Sequence, residues 1–362
     1  MTSSLRFPLP PCAEPGAPSP FSGTGKPLRW GVVATGRIAG KVTEDLARLD
    51  DAVLQAVSSR TEERARAFAK TFGFATAHYD DGSSRGFELL AQDPEVDVVY
   101  VATPHGQHYE ACKALLSAGK HVLCEKAFTV NAREAEELIN LAREKGVFLM
   151  EAVWTRFLPS VNRAWDIIHS GELGDIRWVQ ADLGFPAAYD PAARLWDPMA
   201  GGGALLDLTV YPATWALGSL GFPTSVAAEG FLNVDGVDSQ NSLTLTYASG
   251  AQAQLSSSLV ASGPCQATVA GTEGWLRTSA PLHNPLELYV HPHGEEPRVE
   301  QFEQAGNGYS YELREVTRCI QAGLLESPTM PLQHTLDTMR MFDGVRAQLG
   351  LRYANDNHGA GV

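Results

Sequence analysis

The sequence has little cysteine and no long hydrophobic run. Its five cysteines, Cys12, Cys112, Cys124, Cys265 and Cys319, are scattered and odd in number, and none belongs to a C-x-x-C pair. This pattern argues against a disulfide framework or a zinc site and indicates reduced thiols in a cytoplasmic protein. No apolar stretch approaches the roughly twenty residues that cross a bilayer, so we expect a soluble chain without a membrane partner.

Positive charge is also scarce. Lysine and arginine total 28 against 42 aspartates and glutamates, which gives a formal net charge of -14. Such a chain repels nucleic-acid phosphates and anionic lipid surfaces, so we expect a small-molecule partner and no nucleic acid. The 362 residues are 44% hydrophobic, which is enough for two domains that each bury a core.

The chain begins with a stretch unlike the rest. Residues 1–27 are rich in proline, glycine and serine, and this composition predicts a flexible tail. From residue 28 to residue 152, apolar strands alternate with amphipathic helices, which predicts an α/β domain with a doubly wound parallel sheet. Ligands of such sheets bind beyond the carboxyl ends of the strands, so we expect the binding and catalytic residues in the turns there.

The turn after the first strand, ATGRIA, is similar to the dinucleotide fingerprint G-x-G-x-x-G/A of Rossmann domains. Gly36 takes the second position, where a backbone without a side chain can approach a pyrophosphate, and Ala39 takes the third. Ala34 departs from the first glycine. Because a strand and a helix flank the turn as the mechanism requires, we predict that it binds a dinucleotide through Thr35, Gly36, Arg37 and Ile38.

The end of the second strand distinguishes the two nicotinamide cofactors. NAD enzymes usually place an acidic residue there for the ribose 2'-hydroxyl, whereas this chain has Ser58, Ser59 and Arg60. Neutral side chains and a cation suit a 2'-phosphate, so Ser59 and Arg60 favour NADP over NAD. A solvated arginine just before a helix is the alternative interpretation of Arg60.

Two charged residues end an apolar strand in the sequence LCEKAFTV. By topology, Glu125 and Lys126 lie on the cofactor side of the predicted sheet. A lysine beside a nicotinamide can hydrogen-bond the substrate oxygen and stabilise its charge during hydride transfer, and Glu125 can orient that lysine. An ordinary salt bridge at the sheet edge is the alternative that these two residues alone leave open.

Beyond residue 153 the segments become shorter and turns more frequent. Alternation with a period of two predicts an α+β domain with an open-faced, mostly antiparallel sheet. An uncovered sheet face needs a partner, so we expect a homodimer through this sheet. The histidines of HPHG, residues 291–294, lack a third ligand and indicate a surface hairpin, so we predict no metal site.

Three motifs, WGVVATGRIA, VATPHGQH and EKAFTVNAREAEEL, together resemble the glucose-fructose oxidoreductase, inositol dehydrogenase and MocA superfamily. Lys126 matches the family signature Glu-Lys-Pro, and Ala127 takes the place of its proline. FLMEAVWTRFLP and RLWDPMAGGGALLDLTVYP resemble a narrower branch that contains dimeric dihydrodiol dehydrogenases and NADP-dependent D-xylose dehydrogenases. The resemblance extends over residues 28–352.

The resemblance implies roles that the patterns alone leave open. It makes Asp207 and Tyr211, one helical turn apart, part of the catalytic site, with Tyr211 moving the proton and Asp207 contacting substrate or fixing the geometry of Lys126. From the residues alone, a core tyrosine and a helix-terminal acid fit equally well. Other residues that we assign to the cofactor or the substrate pocket are Thr103, Pro104, His105, Trp154 and Arg156; Trp154 and Arg156 also suit interdomain packing.

The resemblance also implies the domain boundaries. We expect a cofactor domain over residues 28–152, a substrate-binding and dimerisation domain over residues 153–330, and a C-terminal helix over residues 331–352 that returns to the cofactor domain.

The expected reaction is NADP-dependent hydride transfer between the nicotinamide and a carbinol carbon. Oxidation of an aldose at C1 to its lactone is the first substrate class, and a trans-dihydrodiol of an arene is the second. The competing class is a catalytically silent sugar- or nucleotide-sensing regulator of the same fold. Retention of Lys126, Asp207 and Tyr211 argues against that class.

Overall fold

The computed structural model describes residues 10–13 and 16–357. These residues form two compact units: the first unit comprises residues 10–154 and 305–339, and the second unit comprises residues 155–304 and 340–357. Within the described ranges, no helix combines the length and the apolar character that crossing a membrane requires.

The first unit is built on six parallel strands and the helices that cover them. The strands are β1 (Leu28–Val33), β2 (Ala52–Ser59), β3 (Thr76–Tyr79), β4 (Val98–Val101), β5 (His121–Glu125) and β6 (Leu149–Ala152). The helices are α1 (Arg37–Leu46), α2 (Glu62–Phe72), α3 (Gly86–Gln92), α4 (His108–Ser117), α5 (Ala132–Lys145) and α8 (Ser310–Gln321), and α9 (Leu332–Leu349) begins here.

The strand order β3-β2-β1-β4-β5-β6 confirms the predicted doubly wound sheet. The order reverses between β1 and β4, which is where such sheets bind their ligands. Every residue of β4 is buried, because helices cover both faces of a parallel sheet. Capping residues mark both ends of α5: Asn131 Oδ1 accepts a hydrogen bond from Glu134 N at 2.9 Å, and Gly146 ends the helix in the left-handed conformation.

The second unit contains an eight-stranded, mostly antiparallel sheet, as predicted. Its strands are β7 (Ile176–Gly184), β8 (Ser225–Leu232), β9 (Asp238–Thr246), β10 (Gln252–Ser258), β11 (Ala267–Gly271), β12 (Gly274–Thr278), β13 (Glu287–Pro292) and β14 (Arg298–Gln301). Their order is β14-β13-β12-β11-β7-β10-β9-β8, in which β7 and β10 run parallel and the other neighbours run antiparallel.

Helices cover one face of this sheet. α6 (Pro159–Ser170) packs on β13, and α7 (Val210–Leu220) packs on β7, β10 and β11. Side chains of β9 and β10 alternate between buried and exposed along each strand, so the exposed set forms the opposite face. That face is mixed in character, since Trp178 is exposed there and the Trp275 and His291 rings stack at 3.8 Å.

The start of the chain departs from the predicted flexible tail. Residues 16–27 pack onto the first unit: Arg314 Nε donates to the Pro20 carbonyl at 2.8 Å, and Thr24 N donates to Asp51 Oδ2 at 2.8 Å. The segment is ordered because distant side chains hydrogen-bond its backbone, which its composition cannot reveal. Residues 1–9, 14 and 15 of the predicted tail lie outside the described residues.

The segment that returns to the first unit also differs from the predicted one. It comprises residues 305–339, which include α8, whereas we expected residues 331–352. The reason lies at the start of α8, where the Asp45 carboxylate accepts hydrogen bonds from Asn307 N, Tyr309 N and Ser310 N. Residues 340–357 group with the second unit.

Candidate active site

The turn between β1 and α1 has the backbone of a dinucleotide-binding turn. Ala34 adopts a φ of 84°, the left-handed conformation that the fingerprint usually provides with its first glycine. Gly36 precedes α1, and apart from its chain neighbours no described residue has an atom within 4 Å of the position that a Cβ would take there. The turn therefore leaves room for a pyrophosphate against the N-terminus of α1, which fits a nicotinamide dinucleotide.

The end of β2 lies beside this turn. Thr35 Oγ1 and Ser59 Oγ are 3.2 Å apart, so the structure brings together the two predicted hydroxyl groups. Arg60 follows Ser59 directly and is exposed. Two neutral hydroxyls and a cation with access to solvent can recognise a phosphate on the adenosine ribose.

The end of β5 holds Glu125 and Lys126. Glu125 is buried and accepts a hydrogen bond from the Tyr100 hydroxyl, which belongs to the neighbouring strand β4. The Lys126–Ala127 peptide bond is cis, although position 127 is an alanine. Phe128 N donates to Glu151 Oε1 at 3.0 Å, which attaches the turn after Lys126 to strand β6.

Two histidines hold the turn that follows β4. His105 Nε2 lies 3.1 Å from the Lys126 carbonyl oxygen, which places this predicted residue at the lysine backbone. His108 Nδ1 lies 3.1 Å from the Ala127 and Phe128 carbonyl oxygens, and its Nε2 lies 2.8 Å from the Thr103 carbonyl oxygen. His108 therefore ties together the turns after β4 and β5.

Sequence reasoning missed His108. Its only signal was a position three residues after His105, one turn along the helical segment that follows VATP. Burial lowers the pKa of His108 below its ordinary value, and the hydrogen bonds to carbonyl oxygens oppose this effect. Its contacts with three carbonyl oxygens make His108 a structural clamp between the two turns.

Trp154 and Arg156, predicted to line the pocket, are both buried. The Trp154 ring packs on Tyr309, with ring centroids 4.5 Å apart, inside the first unit. Arg156 belongs to the second unit, where its carbonyl oxygen accepts a hydrogen bond from Asn162 Nδ2 at 3.0 Å.

In the second unit, the segment Leu205–Thr209 forms a π-helical turn that leads into α7. Turns of this kind are often found at functional sites. Gly203 is required before it, because a Cβ there would lie 2.2 Å from Asp238 Oδ1. Asp238 Oδ2 accepts a hydrogen bond from Leu205 N at 2.9 Å, and burial raises the pKa of Asp238 to about 7. This carboxyl group holds the start of the turn.

Asp207 lies in the π-helical turn and Tyr211 in the first turn of α7. Asp207 Oδ1 accepts a hydrogen bond from Arg194 Nη1 at 2.9 Å, and Arg194 is half exposed. The Tyr211 ring packs on His283, with ring centroids 4.9 Å apart. Arg194 and His283 were not predicted, because both lie in irregular segments without a periodic pattern.

Each unit thus gathers its own set of predicted residues. The first unit brings together the turn at Gly36, the pair Thr35 and Ser59, and the strand-end residues around Lys126. The second unit holds Asp207 and Tyr211. In the described ranges, no group of three or more histidine, cysteine or acidic side chains is arranged to bind a metal ion.

The first unit combines a doubly wound sheet, a dinucleotide-binding turn and a lysine at a strand end, and the same chain carries an open-faced sheet. These features together define the class of nicotinamide-dependent oxidoreductases. The family described as "Oxidoreductase family, NAD-binding Rossmann fold" matches residues 28–153, and the GFO/IDH/MocA C-terminal domain matches residues 161–277. The chain belongs to the GFO/IDH/MocA family of oxidoreductases, which confirms the family and the enzyme class expected from the sequence.

Several relatives match over almost their whole length. Trans-1,2-dihydrobenzene-1,2-diol dehydrogenase of Mus musculus is 37% identical over 338 residues, covering 91% of this chain and 99% of the relative. The enzyme of the same name from Bos taurus is 37% identical over 341 residues, with the same coverage.

Among solved structures, an aldose-aldose oxidoreductase from Caulobacter crescentus is similar with a TM-score of 0.79 and 25% identity, covering 89% of this chain and 97% of that one. A 3-ketoreductase from Actinomadura kijaniata in complex with NADP and TDP-benzene has a TM-score of 0.78 and 26% identity, covering 90% and 98%.

The backbone of the nucleotide turn generates a first prediction. An alanine in the left-handed region costs roughly 1–2 kcal/mol relative to glycine, so Ala34→Gly is expected to raise the free energy of unfolding by about 1 kcal/mol. Ala39→Gly, five residues later and buried in α1, is the control and is expected to lower it by about 1 kcal/mol. Chemical denaturation measures both; a loss of stability in Ala34→Gly would contradict the assigned conformation.

Proposed function

We propose that this protein is an NADP-dependent dehydrogenase that oxidises one carbinol carbon of a cyclic vicinal diol. The first substrate class is a trans-dihydrodiol of an arene, because relatives that match over 91% of the chain are named for trans-1,2-dihydrobenzene-1,2-diol. This reverses the order expected from the sequence, in which aldoses came first.

An aromatic pair in the segment that carries Arg194 supports an arene-derived substrate. Arg194, which hydrogen-bonds Asp207, lies in an irregular segment that also carries Tyr189 and Trp196. These two rings meet edge to face, with centroids 5.6 Å apart. Trp196 is buried and Tyr189 is 54% exposed, so the Tyr189 ring offers a planar apolar surface, which suits an arene diol better than a fully hydroxylated sugar.

An aldose is the second candidate. It is supported by the similarity to an aldose-aldose oxidoreductase of known structure, at 25% identity over most of both chains. Both candidates present a secondary carbinol beside another hydroxyl group, so the same catalytic side chains serve either one.

The side chains have separate tasks in this proposal. Bound NADP supplies a nicotinamide carbon that accepts a hydride. Lys126 donates a hydrogen bond to the substrate oxygen and stabilises its negative charge, and Tyr211 accepts the proton of the carbinol hydroxyl. Asp207, held by Arg194, accepts a hydrogen bond from the neighbouring hydroxyl, and His105 fixes the Lys126 backbone.

The proposal is tested first by following absorbance of the reduced nicotinamide. Purified protein is mixed with NADP or NAD and a panel of trans-dihydrodiols, aldoses and inositols. Reduction of NADP by a dihydrodiol supports the proposal, and reduction by an aldose alone selects the second candidate. Silence across the panel, with NADP binding detected by calorimetry, would overturn both substrate classes.

Replacement of Tyr211 tests the proton transfer. Tyr211→Phe keeps the ring that packs on His283 and removes the hydroxyl, so kcat is expected to fall roughly 10²-fold or more while NADP affinity stays unchanged. Tyr247→Phe, a buried tyrosine on a different part of the second unit, is the control and keeps its kcat. Retained turnover in Tyr211→Phe would exclude this residue as the acid/base.

Replacement of Arg60 tests the choice of cofactor. We propose that Ser59 and Arg60 bind the 2'-phosphate, which agrees with the NADP present in a similar 3-ketoreductase structure. Arg60→Ala is expected to raise the Kd of NADP at least about tenfold and to leave the Kd of NAD nearly unchanged. Arg133→Ala, on the exposed side of α5, is the matched control. Equal losses for both cofactors would contradict this role of Arg60.

We further propose a cytoplasmic homodimer. The described cysteines are free thiols, which suits a reducing compartment. The exposed sheet face bears aromatic side chains such as Trp178, together with Arg277 lying over the Tyr289 ring, and two such faces can pair about a two-fold axis.

A charge on that face tests the dimer. Trp178→Glu is expected to convert a dimer to a monomer, because two buried carboxylates would meet near the same interface. Met199→Glu places the same charge on an exposed residue outside the sheet and is the control. Light scattering at micromolar concentration measures both, and a wild-type monomer would overturn the proposed dimer.

A further inference from the structure

Three ionisable side chains from three elements form a buried cluster in the first unit. They are Tyr100 of β4, Glu125 of β5 and Glu312 of α8, which we call the Tyr100–Glu125–Glu312 cluster. Tyr100 and Glu312 have no exposed surface, and Glu125 is 6% exposed. The Tyr100 hydroxyl donates a hydrogen bond to Glu125, the residue that precedes Lys126.

Glu312 is the unusual member of this cluster. Neither of its carboxyl oxygens has a hydrogen-bond partner among the described residues. An ionised carboxylate that is buried without a partner is strongly unfavourable, so such groups keep a proton instead. A neutral carboxyl group is therefore the form that this site accommodates.

The groups that face Glu312 reinforce this conclusion. α1 contributes the Asp45 carboxylate, β5 contributes Glu125 and β4 contributes the Tyr100 hydroxyl. The arginines of its own helix are engaged elsewhere, Arg314 with Asp51 and Arg318 with Glu315. Burial first, and then the charges of Glu125 and Asp45, raise the pKa of Glu312 well above its ordinary value.

We infer that Glu312 is a positioning residue of the proposed dehydrogenase: its uncharged carboxyl group leaves Glu125 as the ionised member of the cluster, and Glu125 keeps Lys126 oriented toward the substrate oxygen. The inference rests on the proposed function. When Glu312 loses its proton, a second negative charge repels Glu125 and acts on the Tyr100 hydroxyl that donates to Glu125, so the contact that positions Glu125 weakens. Turnover therefore falls at alkaline pH.

Stability measurements test the charge of Glu312 without any assay of activity. Its pKa is higher in the folded chain than in the unfolded chain, so its contribution to stability is complete at acidic pH and declines as the pH rises toward the folded pKa. Glu312→Gln cannot ionise. Its Tm is expected to exceed that of the wild type at about pH 8, and the difference shrinks toward about pH 4.

The matched control lies one turn further along the same helix. Glu315 is also buried, but its carboxylate is satisfied by Arg318 at 3.0 Å and by the Ser327 hydroxyl at 2.7 Å. Glu315→Gln removes an ionised partner and is expected to lower Tm at about pH 8. A decrease in both variants would show that Glu312 is an ordinary ionised carboxylate and would overturn the inference.

The pH profile of kcat tests the positioning role. With a substrate that the wild type oxidises, Glu312→Gln is expected to move the alkaline fall of kcat upward by about one pH unit or more, whereas Glu315→Gln keeps the wild-type profile. If Glu312 has only a structural role, Glu312→Gln changes the stability but not the pH profile of kcat. That result would overturn the inference about Glu312 and leave the proposed function intact. A wild type that oxidises nothing, with the melting difference intact, would overturn the proposed function instead.

Discussion

The first unit depends on two aspartates that attach α8 to the nucleotide-binding half of the chain. Asp45, on the helix that follows the nucleotide turn, accepts backbone hydrogen bonds from Tyr309 and Ser310 at the start of α8. Asp51 forms a buried ion pair with Arg314 at 2.8 Å, and removal of one partner of such a pair typically costs about 3–5 kcal/mol. These contacts fix where Glu312 lies, and they also hold residues 16–27 in place.

Much of the fold was predictable because its signals are local. Asn131 and Gly146 mark the ends of α5 by capping chemistry that depends on a few neighbouring residues, and the apolar run of β4 indicates a buried parallel strand. The turn at Gly36 was predictable for the same reason, since a strand, a turn and a helix follow one another directly.

The remaining features depend on residues far apart in the sequence. Arg314 orders a proline-rich segment near the start of the chain, and no local pattern connects the two. Arg194 reaches Asp207 from an irregular segment, and His108 is recognisable only from the carbonyl oxygens that surround it. Glu312 appears in the sequence as an ordinary polar residue of an amphipathic helix, and its burial emerges only when α8 packs on the sheet.

Ala34 links the backbone of the nucleotide turn to the thermodynamics of binding. Its left-handed conformation is costly for an alanine, yet an alanine samples far fewer backbone conformations than the glycine that the fingerprint has there. A turn that is already restricted loses less conformational entropy when a dinucleotide settles on it, because the ordering cost was met during folding. Ala34 therefore lowers the free energy of unfolding slightly and leaves the phosphate-binding loop preorganised.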